Sequence, residues 1–430
     1  MALSYAHGAV QWLAADAATT TYTVSGLAFQ PKALKFYASG IQSAVDAASQ
    51  TLHSRRSLGF ATSTTSRRAV GTASDDASAA ANCGSIARND CVIVEVDGAG
   101  ATTGLLDLSS VTSDGFVLIV DDAAAFNNTV FWEAWGGTDI TVATVGDIAE
   151  PAAIGVQTYT VTGFTSGATD QVVMLAGVQS VSALNTGEAQ DSGFYIGFAT
   201  NTTTGNVVLS GNSDDASATM DTRGYCKTSE CLAMVLIGGG DIDARAQLTQ
   251  FNADNFGLDW LARAVTNRRS IFMAIKGGNW SAGSYTIDAA TLNATATVSG
   301  LAYAPIGLTL IGRRTAEQSA GLTTSEDRIS IGSGTSPTSR RSIGTLDETS
   351  TASSEINHSI QYDQVLTHPS AAGAQLTAFD INAMNSDGFQ IIVDVAGGVA
   401  NEWQGYLTFG SAAGGGAVIM GGLLLMGVGA

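Results

Sequence analysis

Short apolar runs bounded by Gly, Ser and Asp recur about every ten residues along this chain. Runs of that length with turn residues between them predict β-strands, and their regular spacing predicts an all-β sandwich. In the first third the strand candidates are Ala33–Tyr37, Arg56–Ala61, Cys91–Val96, Phe116–Val120 and Thr129–Trp135. Successive side chains of a strand point to opposite faces, so in the last of these Phe131, Glu133 and Trp135 share one face and Val130, Trp132 and Ala134 the other. Both faces are heavy, which predicts that one meets a second sheet and the other a neighbouring domain or subunit. No stretch sustains a helical period, and little helix is expected.

The pattern is stated three times. VSGLAFQPKALKFYASG from Val24 returns as VTGFTSGATDQVVMLAG from Val161 and as VSGLAYAPIGLTLIG from Val298, 137 residues apart at each step. A later turn repeats with it, at Asp114-Gly115, Asp254-Asn255 and Asp387-Gly388. SLGFAT at Ser57 matches YIGFAT at Tyr195, and TSRRAVGT at Thr65 matches TSRRSIGT at Thr338. A fixed period of this kind marks one structural unit repeated. The expected architecture is three tandem homologous β-sandwich, jelly-roll-like domains at residues 21–140, 158–280 and 295–410. An N-terminal arm (1–20) and a C-terminal tail (411–430) flank them, and linkers of about twenty residues, 138–157 and 279–294, join them.

The length, 430 residues, gives each copy enough chain for its own core. Asp and Glu number 38 against 19 Lys and Arg, a net charge of −19. Nucleic-acid binding relies on cations neutralising phosphates, so this balance speaks against it. The N-terminus has no basic region followed by an apolar core, so synthesis in a cytoplasm is expected.

The succession of a GLxFxPKAL-type strand, an IGFAT-type strand, a TSDGF-type turn and a closing aromatic strand ending in Gly-Gly resembles a β-domain repeated in tailed-phage virion structural proteins. The resemblance covers each repeat and rests on turn and strand residues. It implies a virion component that works by assembly and host-surface recognition, as a tail fibre or tip element. Capsid decoration and a carbohydrate-binding adhesin array are the alternatives. The partners it implies are further copies of the chain, other virion proteins and a host surface glycan, with no cofactor.

Residues that would carry chemistry are few. Four histidines are scattered at His7, His53, His358 and His368, and no nucleophile elbow, zinc spacing or phosphate loop occurs. No enzyme activity and no metal site are expected. The doublets Asp75-Asp76 and Asp214-Asp215 suit calcium or, more commonly, a plain acidic turn. Cys83 and Cys91, and Cys226 and Cys231, face each other across short loops. If those loops are hairpins the pairs are candidate disulfides; buried free thiols are the alternative. Ten of the fifteen arginines stand in doublets, of which Arg67-Arg68 and Arg340-Arg341 occupy matching positions. Neighbours on a strand face opposite ways, so one of each pair can reach an interface. Trp135 and Trp403 are further interface candidates, while Trp132, Trp135, Trp280 and Trp403 would serve a sugar-stacking reading. The uncharged, glycine-rich tail with Leu423, Leu424 and Leu425 reads as an assembly element, with membrane contact as the alternative.

Overall fold

The computed structural model describes residues 2–40, 46, 50–51, 53–76, 78, 80–179, 183–201, 205–216, 218–235, 242–264, 268–318, 326–348, 355–370, 374–411 and 418–419. Within it the two landmarks of each repeat meet. The glycines of the opening Val-Ser/Thr-Gly motif, Gly26, Gly163 and Gly300, have φ of +80°, +94° and +82°, a region that L side chains rarely adopt. Each donates its N–H to the aspartate of the later turn. Gly26 reaches Asp114 at 3.3 Å, Gly163 reaches Asp254 at 2.6 Å, and Gly300 reaches Asp387 at 3.2 Å. One corner of the fold is thereby tied across some ninety residues of chain.

Each repeat contributes ten strands. In repeat 1 the larger sheet runs Cys83–Arg88, Ser66–Ser74, Ser54–Ser63, Pro31–Ala38, Asn128–Gly137, Leu3–Trp12. The smaller runs Thr21–Val24, Gly115–Asp122, Thr102–Thr112, Ile93–Val96. Numbered along a repeat, the orders are 6-5-4-3-10-1 and 2-9-8-7, antiparallel within each repeat and identical in all three. This order specifies the expected sandwich more closely: strands 3 to 6 and strands 7 to 9 are hairpin meanders, and the chain crosses between the sheets on either side of strand 2, between strands 6 and 7, and between strands 9 and 10. The chain entering strand 7, in the facing sheet, passes very close to the fourth strand, which carries the IGFAT-type segment. A Cβ on Gly59, Gly197 or Gly332 would lie 1.8, 1.9 and 1.9 Å from the carbonyl oxygens of Val92, Cys231 and Val365, so only glycine fits. No helix occurs among the described residues.

The repeats begin earlier than expected from the sequence. Leu3–Trp12, within the presumed N-terminal arm, is the outer strand of the larger sheet and pairs with Asn128–Gly137 along its whole length. Val142–Ala149 and Asn279–Ile287, read as linkers, hold the same place in repeats 2 and 3. These first strands carry none of the matched turn residues, so comparing the repeats with one another does not reveal them.

Each sandwich has its own interior, with Phe36, Phe116 and Trp132 in repeat 1, Tyr195, Phe256 and Trp260 in repeat 2, and Leu310, Phe379 and Phe389 in repeat 3. A further core joins them. The outer faces of the three larger sheets form one cluster that includes Tyr5, Phe131 and Trp135 of repeat 1, Met174, Phe198 and Met273 of repeat 2, and Trp280, Trp403 and Phe409 of repeat 3. The two heavy faces of Thr129–Trp135 thus do what their composition demands: Val130, Trp132 and Ala134 fill the sandwich, and Phe131 and Trp135 fill the joint between repeats. The end of repeat 3 lies beside the start of repeat 1, where the Leu3 N–H donates to Ser411 Oγ at 3.2 Å.

Candidate functional site

The three repeats close into a ring by exchanging edge strands. After its third strand each repeat sends a loop to the exposed sixth strand of another. From repeat 1, Gln50–Thr51 pairs with Asn357 and His358 of repeat 3. From repeat 2, Glu188–Ala189 pairs with Ser85 and Gly84 of repeat 1. From repeat 3, Gln318 exchanges hydrogen bonds with Cys226 of repeat 2, both at 3.1 Å. An open sheet edge is a template for further pairing, and here the sixth-strand edge of each larger sheet is met by a neighbouring repeat. The order 1 on 3, 3 on 2, 2 on 1 is cyclic.

Equivalent residues meet where the repeats converge. Ser74, Ser213 and Asp347 end the fifth strand of their repeats, and both serine hydroxyls donate to Asp347 Oδ2, at 2.9 and 2.7 Å. Arg56, Phe194 and Ile329, also equivalent by strand register, line one small cavity of about 20 Å³. The symmetry breaks in charge. Arg56 donates to Asp327 Oδ2 at 2.5 Å, to Asp347 Oδ1 at 3.1 Å and to Thr345 Oγ1 at 2.8 Å, with both carboxylates fully buried. Burial raises the Asp327 carboxyl to about 6, against the opposing pull of Arg56. A second buried pair, Lys35–Glu133 at 3.1 Å, accepts a further bond from Thr309 Oγ1 of repeat 3 at 2.8 Å. Desolvation lowers the lysine and raises the glutamate, each countered by its partner. Buried pairs of this kind contribute little net stability, but they are costly to mismatch, so they favour one arrangement over others.

The arginine doublets divide as strand geometry requires. Arg67 stays within repeat 1 on Asp107 at 2.5 Å, while Arg68 crosses to Asp147 of repeat 2 at 2.8 Å. Arg340 stays on Asp380, while Arg341 is buried against the rings of Phe131 in repeat 1 and Tyr362. Arg55 stays on Asp75, and Arg56 crosses. Trp135 lies wholly buried against Tyr5, Trp280 and Phe409, and Trp403 donates its Nε1–H to Thr228 Oγ1 of repeat 2 at 3.2 Å. The candidate interface residues are therefore brought together, at joints inside one chain. Leu423, Leu424 and Leu425 lie outside the described residues. Of the tail, Val418–Ile419 pairs in parallel with Ser4 and Tyr5.

Other candidates are corrected. All four cysteines are free and buried. The hairpin assumption fails because the chain at both places is a corner between sheets. Cys83 and Cys91 stand at opposite ends of the Cys83–Arg88 strand, and Cys226 and Cys231 belong to two different cores. Register also shows that Val92, not Cys91, is the counterpart of Cys231. The aspartate doublets serve protein groups: Asp76 accepts the Ile356 N–H of repeat 3 at 3.0 Å, and Asp215 accepts the Cys83 N–H of repeat 1 at 2.8 Å. No set of three metal-ligating side chains occurs among the described residues. All six tryptophans are buried, so none offers a ring to a sugar.

Two imidazole–carboxylate pairs are present. His368–Glu402, at 3.2 Å, is sealed within repeat 3, and His53–Asp75, at 3.4 Å, shares its carboxylate with Arg55. An open groove of about 630 Å³ follows the junction of repeats 1 and 2, lined by hydroxyls such as Thr62, Thr64, Ser109, Ser110 and Thr141 together with Lys32, and by no aromatic ring. No described helix is long and apolar enough to cross a membrane. No protein-family model, curated protein or solved structure matches the chain.

Proposed function

We propose that the protein is a virion structural component of a tailed phage, made in the host cytoplasm, that acts by assembly with other virion proteins and by contact with the host surface. The observation that carries this reading is the closed ring. Three sandwiches that fill one another's sheet edges and share one central core form a rigid unit with three like outer sheets, a form suited to building and display. The chemistry agrees with it. Among the described residues, at least twelve of the 19 lysines and arginines are spent on ion pairs within the chain, which leaves an acidic exterior unsuited to nucleic acid. The sealed His368–Glu402 pair offers no route for a substrate, which favours a role without catalysis.

The ring of three also favours a second reading, capsid decoration, because such a unit matches a threefold site on a shell. Immunogold labelling of particles purified from producing cells tests both. Label at the tail supports the fibre or tip reading, and label spread over the head supports decoration. Protein absent from particles and found only in the soluble fraction overturns the proposal.

A further inference from the structure

Lys35 and Glu133 stand directly opposite each other on strands 3 and 10 of repeat 1, on the faces that fill the core shared by the three repeats. Both side chains are fully buried. Lys35 Nζ lies 3.2 Å from Glu133 Oε1 and 3.1 Å from Oε2, which brings it close to the carboxyl carbon between them. The rings of Tyr37 and Phe198 stand 5.3 and 5.8 Å from the nitrogen. Thr309 Oγ1 of repeat 3 donates to the carboxyl group, 3.1 Å from Oε1 and 2.8 Å from Oε2.

As an ion pair this arrangement is poorly matched. An ammonium carries three N–H donors, and burial makes each unmatched donor costly. Among the described residues the Glu133 carboxyl group is the only acceptor that Lys35 meets. The fold does not require the pair, since strand register puts Met174 and Met273 at these two positions in repeat 2, and Thr309 and Leu407 in repeat 3. Burial lowers the lysine and raises the glutamate, each against the pull of its partner. Both shifts favour the free amine and the neutral carboxylic acid, the forms that condense to an amide.

We propose that Lys35 and Glu133 are a modification site, at which the two side chains join in an isopeptide bond between strands 3 and 10. The lone pair of the Lys35 amine attacks Glu133 Cδ, so that a nitrogen–carbon bond forms. The bond from Cδ to the acid hydroxyl then breaks, and that hydroxyl leaves with a proton from the nitrogen as one molecule of water. Thr309 Oγ1 donates to the oxygen on which negative charge develops in the tetrahedral intermediate. No oxidant, metal or further reactant is consumed. The amide keeps one N–H in place of three, which removes the unmatched donors. It also closes a loop between residues 98 apart in sequence and fastens the strand that carries Phe131 and Trp135. The bond rests on side-chain chemistry and does not depend on the virion reading, so either can fail alone.

Mass spectrometry of the full chain in denaturing acid tests it, because an ion pair dissociates there and an amide persists. The expected mass is one water, about 18 Da, below that of the sequence, and peptic digestion should yield one fragment in which Lys35 and Glu133 are joined. Glu133→Gln offers an amide in place of the acid, so the same bond forms with loss of ammonia and the cross-linked variant has the mass of the cross-linked wild type. Lys35→Met with Glu133→Met copies Met174 and Met273 of repeat 2, so it should fold and keep the full mass of its own sequence. A wild-type chain at its full mass, with Lys35 and Glu133 in separate fragments, overturns the proposal. So does a mass deficit that persists in the folded double variant.

Discussion

Arg56 shows how three like units are given a fixed order. Its counterparts are Phe194 and Ile329, and the aspartates that it meets stand where repeat 2 has Ser192 and Ser213. Gly211 leaves the space, since a Cβ there would lie 1.7 Å from Asp327 Oδ1. Arg56→Met should cost about 3–5 kcal/mol in urea unfolding, because it strands two buried carboxylates. The triple variant Arg56→Phe, Asp327→Ser, Asp347→Ser copies the residues of repeat 2 and should recover most of that loss. A triple variant as unstable as the single one would contradict the equivalence of these positions.

Glu95 gives a second test at this scale. It is buried in repeat 1, where desolvation lifts its carboxyl to about 7 against the opposing effect of Arg55. A folded-state value above the unfolded one means that the native chain holds the proton more tightly. The associated stability is full below about pH 4.5 and is lost as the pH rises through 7. Glu95→Gln keeps an acceptor for the Ala125 N–H and removes the charge. It should therefore stabilise the protein by about 3 kcal/mol at pH 8 and by under about 1 kcal/mol at pH 5. An equal effect at both values would contradict the assignment.

At the scale of the strand, the closest contacts are made by glycine. Gly197→Ala puts a methyl group 1.9 Å from the Cys231 carbonyl oxygen and should cost about 3 kcal/mol in thermal or chemical unfolding, since the obstacle is backbone and cannot rotate away. These glycines belong to the motifs that made the repeats visible, which explains how much of the fold was legible. Turn and close-approach residues leave a signature in the sequence, and so do strands with two apolar faces such as Thr129–Trp135. The first strands did not, because Leu3–Trp12 and its counterparts are held by backbone pairing and by contacts special to each joint, among them His7 with Ser333 and Ser339. The cysteine pairing misled because loop length does not tell a hairpin from a corner between sheets. The arginine doublets were legible as far as facing goes. Which partner each would meet depends on how the repeats pack, and no single repeat records that.

At the scale of the whole chain, the outer faces of the three larger sheets share one core, and the exchanged strands tie each repeat to the other two. A repeat removed from the ring would expose Phe131, Trp135 or Phe409 and lose the strand that covers its edge. The repeats should therefore unfold together. Differential scanning calorimetry of the full chain measures this directly. A chain of 430 residues unfolding as one unit has a van't Hoff enthalpy of about 300 kcal/mol near 60 °C, equal to its calorimetric enthalpy. One transition with a ratio of the two enthalpies near one is the predicted result. Separate transitions, or a van't Hoff enthalpy of about 100 kcal/mol within a single peak, would show three independent domains and contradict the ring.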